Sequence, residues 1–553
     1  CVTLMQEFCV DPMDKDTKSS STTPKLHSSN LLKPAGLWFV LAVVALLALY
    51  ARYLNLSFDG DFQGWASASC MTMAHSFNQL GAFHTHFVPI QNNLPLGLDP
   101  DFYLHWPPLF PLLLSFVTRI FGDRESSARL FALTITLATT AVLFLLARRY
   151  YGLRAALLTG FFFITARATY EGGRAILHQP LAIFFGSATV LFFLLAVDTP
   201  EPAVAYSASR RRLFAALGLC ATVSTILTAW DPIFIALGLF LASIYLRRSG
   251  ATRLAAVYLF ANVVTFCAVQ ANYIAADPIL FKNQLATIAY RAGLKFNASS
   301  SLTLNSIVDS VHYGSSQLSL VGGYSHAIRF VVQDFSTFSL LALFLFIALW
   351  TQSDRRRNSR AVYMLAGLFF PWVLFYLVMR NYVSIHSFAL VLGAPFMAIA
   401  SGFILDRIWE VLSTPTGPFG SQRRGILFVM VVILPLLTIY PLLMNVRDVS
   451  VPGFIIPEFR DLSAVIRQNT LANAVTLSPS ESAVPIYYSD RHIVRGIATP
   501  ELFQKALPQA RTAFPGSPLF FALRDTDRDR FTEMLTKLNL VAHQGDSSLY
   551  AIP

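Results

Sequence analysis

The sequence predicts an all-α polytopic membrane protein of about eleven transmembrane helices, followed by a small α/β domain outside the membrane. Three observations carry this. Of the 553 residues, 54% are hydrophobic and only 13% charged, with 47 Phe, a balance foreign to soluble globular chains. Apolar runs long enough to cross a bilayer recur from Gly36 to Met444. Beyond Asn445 the pattern changes to short apolar runs between amphipathic stretches, the mark of a soluble module.

The elements follow in order. Residues 1–35 are polar and rich in Ser, Thr and Lys, with no signal-peptide pattern, and read as a disordered cytoplasmic tail. Spans are predicted at Gly36 to Leu54, Ser126 to Ala147, Ala155 to Tyr170, Leu181 to Val197, Leu213 to Trp230 and Pro232 to Leu246. Five more run from Leu254 to Ala275, Phe338 to Trp350, Val362 to Met379, Phe388 to Leu405 and Ile426 to Met444. Arginines cluster in alternate connections: Arg148, Arg149 and Arg154; Arg210 to Arg212; Arg247, Arg248 and Arg253; Arg355 to Arg357 and Arg360; Arg407, Arg423 and Arg424. By the positive-inside rule these loops and the N-terminus are cytoplasmic. The 36–445 transmembrane domain then presents loop 55–125, the stretch from Ala276 to Thr337 and the 446–553 α/β domain on the external side. Pro107 to Phe121 is apolar but short and opens on two prolines, and counting it as a span would turn every Arg loop outward. It reads as an interfacial helix.

The formal charge of +11 is spread over these small clusters and makes no basic face, so nucleic acid is excluded as a partner. Five Cys without ligand spacing indicate neither a metal centre nor a disulfide framework.

Candidate chemistry gathers in loop 55–125. Asp59 and Asp61 follow the first span, where a half-desolvated carboxylate can act as a general base; the same acids in Phe-Asp-Gly-Asp also suit a plain turn around Gly60. Asp61 leads into a helix and is the better held of the two. His84-Thr-His86 would put two imidazoles on one face of an extended segment, which with His105 leaves room for a divalent metal without demanding one. Tyr103 and His105 precede the Pro107-Pro108 pair. Glu125 and Arg129, four apart, are either a helix-surface ion pair or positioning groups at the mouth of the second span. Further along, Arg174 with His178, Asp231 in Trp-Asp-Pro, and Arg380 with His386 all fall on the external side. Such a gathering of acids, arginines and imidazoles suits a ligand bearing a phosphate and a polyhydroxylated ring.

The order of these motifs carries a resemblance. One helix, a long loop opening with Asp, Tyr103-x-His105-x-Pro107-Pro108-Leu109, Gly-Asp-Arg-Glu-Ser-Ser-Ala-Arg-Leu, a span, then Arg148-Arg149-Tyr150-Tyr151-Gly152-Leu153-Arg154 resembles the GT-C glycosyltransferases of the protein mannosyltransferase type, glycosyltransferase family 39 and its bacterial relatives, which include the lipid A aminoarabinose transferases. The match is fairly specific from Phe58 to Arg154, looser through Trp230-Asp231-Pro232 and Arg380-Asn381-Tyr382-x-x-x-His386, and absent from the C-terminal module. The resemblance implies a GT-C fold, a polyprenyl-phosphate-linked sugar donor and a reaction centre near an Asp of the first external loop. Carried over, that role falls on Asp59 or Asp61; the family often shows Asp-Glu where this chain has Asp-Gly-Asp.

The expectation is therefore an inverting membrane glycosyltransferase acting on a lipid, glycan or protein acceptor. One Asp would serve as base, and Arg174, Arg380 and His386 would hold the lipid phosphate while the spans contact membrane lipids. The expected location is a bacterial plasma membrane. The rival expectation, a transporter or flippase of lipid-linked sugars, needs ionisable groups in mid-membrane, and its nearest candidates are Arg167 and Asp231.

Overall fold

The computed structural model describes residues 29–61, 63–92, 102–197, 207–230, 232–292, 325, 328–329, 331–352, 359–379, 391–413, 422–451, 453 and 456–553. Most of the predicted tail and the residues Asp231, Arg380 and His386 lie outside this set.

Ten of the eleven predicted spans each fall on one helix. The first is α1, Ser29–Tyr53. Loop 55–125 then holds two helices. The first of them, α2, Gly64–Leu80, is largely buried, and the second is α3, Leu109–Phe121. At 1.5 Å per residue the 13 residues of α3 reach only about 20 Å, short of a bilayer core, in keeping with its exclusion from the spans. Next come α4, Glu125–Tyr151; α5, Leu153–Thr165; α6, Arg167–Arg174; and α7, His178–Val197. They are followed by α8, Ala208–Thr228; α9, Ile235–Tyr245; α10, Ser249–Ala276; α11, Pro278–Arg291; and α12, Thr337–Gln352. The bundle closes with α13, Ser359–Val378; α14, Ala394–Ser413; and α15, Gly425–Val449. Among the described residues eight helices are long and apolar enough to cross a membrane, while α3, α5, α9 and α12 are shorter apolar helices.

One predicted span is corrected. The run from Ala155 to Tyr170 is not continuous: Ala166 is extended, and the polar sequence from Arg167 to Arg174 forms a separate short helix. The break sets three charged side chains apart from the apolar helix that precedes them. The Phe-rich α5 packs between α1, α4 and α14, and Arg154 at its start is ion-paired with Asp406 of α14.

A second correction concerns His84 and His86. The chain there is a tight turn, not an extended segment, with Phe87 N–H on Ala82 O at 2.7 Å and His86 in the left-handed region at φ 51°. The polar, Gly-led sequence after α2 favours a turn over a strand.

The C-terminal part is a five-stranded mixed sheet with helices on both faces. Its strands are β1, Val475–Leu477; β2, His492–Val494; β3, Leu519–Arg524; β4, Asn539–Gln544; and β5, Ser547–Ala551, in the order β2-β1-β3-β5-β4. β1 runs parallel to β2 and β3, and β5 antiparallel to β3 and β4. Helices α16, Arg460–Asn469; α17, Val484–Ser489; α18, Pro500–Ala513; and α19, Asp525–Leu535 complete it. Phe503, Phe521 and Phe531 form one core, and Leu462, Ile466 and Leu549 the other.

Candidate active site

The turn between α1 and α2 is built by Gly60. Asp61 N–H bonds Phe58 O at 3.0 Å, and Gly60 has φ +78°. A Cβ at Gly60 would stand 2.0 Å from Ile456 O, so the turn and the C-terminal module meet backbone to backbone.

This turn sends its two aspartates in opposite directions. Asp59 is buried and faces the C-terminal module: its carboxylate accepts the N–H of Glu458 at 3.0 Å and of Phe459 at 2.9 Å, capping the start of α16. Burial pushes this carboxyl above the usual carboxylate range, against the pull of the two N–H groups. Tyr488 of α17 extends the joint, accepting Phe58 N–H at 2.9 Å and donating to Glu125 Oε1 at 2.8 Å. Asn92 exchanges two hydrogen bonds with the backbone of Ile493.

Asp61 turns inward and enters a row of alternating charges. Arg129 Nη2 lies 3.0 Å from its Oδ2, with both side chains buried, and Arg174 Nη2 lies 3.8 Å from its Oδ1. Arg174 also pairs with Glu171 at 3.0 Å; Glu171 approaches Arg167 at 4.0 Å, and Arg167 approaches Asp334 at 3.8 Å. The sequence of signs is acid, base, acid, base, acid, base. Each buried charge thus has opposite neighbours, which offsets the cost of taking it from water. Tyr53 accepts from Arg174, and its ring lies 5.3 Å from the Arg129 guanidinium, which also faces Phe58 at 5.0 Å. Asn445 of α15 donates to Glu171 at 3.0 Å. Arg167, half exposed, is the accessible end. Burial pushes the Asp334 carboxyl up to about 6, with Arg167 pulling the other way.

Glu125 and Arg129 therefore do not form the helix-surface pair that their spacing permits: Glu125 is bonded to Tyr488 and Arg129 to Asp61. Together they join the module to the charged row across one turn of α4. Beside Glu125 a cleft of about 720 Å³, counted to its open mouth, is lined by His75, Asp123, Arg467, Tyr487 and Asp490. His75 Nδ1 is 2.6 Å from Asp123, whose hydrogen bond raises the imidazole above its ordinary range.

Tyr103, His105 and His178 form a second group. Tyr103 and His105 rings pack at 5.3 Å, and His178 lies tilted against Trp106 at 3.9 Å. Burial, helped by Arg291 and Arg495, lowers His105 to about 3, so its imidazole is neutral. The guanidinium of Arg291 sits 5.6 Å over the Trp106 ring. Among the described residues no three His, Cys, Asp or Glu side chains are grouped to hold a metal ion.

Sequence reasoning finds Asp61, Arg129 and Arg174 and misses several of their partners. Tyr53 and Asn445 lie at the ends of predicted spans and look like interface anchors; Asp334 sits among polar residues before a span. Only Glu171 carried a signal, standing between Arg167 and Arg174 at spacings that put all three on one helix face.

This architecture is the GT-C glycosyltransferase fold. The chain is similar to ArnT from Cupriavidus metallidurans bound to undecaprenyl phosphate, with a TM-score of 0.59 and 16% identity over 93% of this chain and 98% of that one. It is also similar to the oligosaccharyltransferase AglB from Archaeoglobus fulgidus in complex with an inhibitory peptide and a dolichol-phosphate, with a TM-score of 0.54 and 11% identity over 88% of this chain and 69% of that one. Residues 105–273 match the family described as dolichyl-phosphate-mannose-protein mannosyltransferase, which bears out the resemblance read from the motifs. No curated protein matches the chain.

Proposed function

We propose that this chain is a multi-pass membrane glycosyltransferase that moves a sugar from a polyprenyl-phosphate donor to an acceptor hydroxyl, with Asp61 as the general base. The observation that carries this reading is the placement of Asp61: a buried carboxylate held at one oxygen by Arg129 and facing Arg174 with the other. Oxygen attack at an anomeric carbon requires a proton acceptor fixed near the nucleophile, and phosphate departs without an acid when cations face it. Arg174 supplies such a cation, with Arg380 and His386 as its sequence-predicted companions. The C–O bond to phosphate breaks as the acceptor oxygen bonds to the anomeric carbon; the acceptor proton passes to Asp61, and the lipid phosphate leaves as an anion. Backside attack of this kind inverts the anomeric centre. The arginine-rich loops, read by the positive-inside rule, support a reaction on the external face, the side to which the C-terminal module is assigned. That ArnT is seen bound to undecaprenyl phosphate, and AglB in complex with an inhibitory peptide and a dolichol-phosphate, supports a lipid-phosphate donor here.

The test is a survey of radiolabelled polyprenyl-phosphate sugars with the purified protein in nanodiscs, using solubilised membrane lipid and protein extracts as acceptors. One donor is expected to lose its label to an acceptor fraction. Movement of the intact lipid-linked sugar across proteoliposome membranes, with no label transferred, would establish the flippase instead.

A further inference from the structure

We infer that the cleft between α2, the Tyr103–Pro111 segment and the start of α7 is the subsite for the glycosyl ring of the donor. The inference rests on the glycosyltransferase reading and names where its sugar sits. The cleft is open on one side, and its lining includes Trp65, Ser69, Tyr103, Trp106, Leu177 and His178.

Three features point to a sugar. Three aromatic residues, Trp65, Tyr103 and Trp106, line the cleft, and the C–H face of a pyranose packs on an accessible ring such as that of Trp65 with little desolvation cost. Trp65 is 47% exposed although it lies in the first turn of an otherwise buried helix. The third feature is His178. This residue is only 6% exposed, its ring lies tilted against Trp106, and its Nε2 has no hydrogen-bond partner among the described residues. A buried polar atom without a partner costs free energy that a ligand hydroxyl recovers. An isoprenoid chain in the same cleft would leave that nitrogen unsatisfied.

The cleft also stands where a donor needs it. Trp65 follows Asp61 by four residues, and Arg174 precedes His178 by four. The two segments are tied together by the Ile176 N–H, which donates to Ser67 Oγ at 3.0 Å. Asp61 and Trp65 thus stand at the start of α2, and Arg174 and His178 on the segment tied to it, so the aromatic cleft and the charged row are carried by the same two stretches of chain.

The experiment compares binding of two lipids to the intact protein in nanodiscs: the polyprenyl-phosphate sugar used in transfer assays and polyprenyl phosphate alone. The wild type is expected to bind the sugar-bearing lipid about tenfold more tightly, the worth of one stacked ring face or one recovered hydrogen bond. Trp65→Ala should abolish this difference without changing the affinity for polyprenyl phosphate, and Trp65→Phe should keep most of it. His178→Asn is the second variant, with thermal unfolding as its control. Equal affinity of the wild type for both lipids overturns the subsite, as does a Trp65→Ala variant that retains the difference. If Trp65→Ala weakens both lipids alike, the cleft holds the isoprenoid and the inference fails. A protein that shows the sugar-dependent difference but transfers no label retains the subsite and loses the transferase reading, so the two failures are distinguishable.

Discussion

At the scale of residues, the two aspartates of Phe58-Asp59-Gly60-Asp61 face opposite ways, Asp59 to the C-terminal module and Asp61 to the buried arginines. From the sequence both were candidates, because both follow the first span by a few residues, and Asp61 was favoured only for leading into a helix. What separates them is a partner more than 390 positions away: Asp59 caps α16 through Glu458 and Phe459. No local signal announces such a contact. Arg129 was legible as a charged residue at a helix mouth, yet its true partner was hidden because Glu125 stood at the spacing of an ion pair. Asp334 yields a prediction with a definite sign. Its folded-state value, about 6, is raised from 3.8, so the native state prefers the protonated acid. This contribution is fully present below pH 4 and is lost as the pH rises through 6. Asp334→Asn should therefore gain stability relative to the wild type between pH 4 and 7, by roughly 2 kcal/mol at most. Thermal unfolding across that range measures it, and a pH-independent difference would assign the raised value to some other group.

At the scale of elements, the spans were readable because a bilayer imposes one length and one composition on every crossing helix. The boundaries that failed are those where polar chemistry interrupts an apolar run. Ala166 splits α5 from α6, and α2, whose start after Asp61 was read as helical, is buried along most of its length because its Ser, Thr and Met face other protein rather than water. In the C-terminal module the sequence marks helices at Pro457 to Asn469 and Asp527 to Leu538 and strands at Ala474 to Leu477 and Pro518 to Leu523, close to the observed α16, α19, β1 and β3, whereas β2, β4 and β5 are short or polar and carry no strand signal. The joint between module and bundle is an element-scale device built on Gly60. Gly60→Ala introduces a Cβ 2.0 Å from Ile456 O at a φ of +78°. The expected outcome is a loss of roughly 2–4 kcal/mol at the joint. Limited proteolysis should then cut between 449 and 460 much faster than in the wild type. Unchanged protection would mean that the module is held by its other contacts.

At the scale of the whole molecule, the account joins three layers: a helical bundle, a row of alternating buried charges at one end of it, and a sheet domain docked on the turn that supplies Asp61. The fold class was legible throughout, since composition, span length and arginine parity all speak to it. The site was legible only as a set of candidates on one side. Its geometry depends on side-chain pairs between α1, α4, α6 and α15, which are distant in sequence. The central claim is that Asp61 is the base and Asp59 the anchor. The most direct test measures single-turnover sugar transfer by Asp61→Asn and Asp59→Asn, with donor binding and thermal unfolding recorded on the same nanodisc preparations. Asp61→Asn keeps a hydrogen-bonding side chain against Arg129, and should bind donor while transferring about 10² to 10⁴ times more slowly. Asp59→Asn should unfold at lower temperature and retain most of its rate while folded. Transfer by Asp61→Asn at the wild-type rate, with Asp59→Asn inactive though folded, would contradict the account and give the chemistry to Asp59.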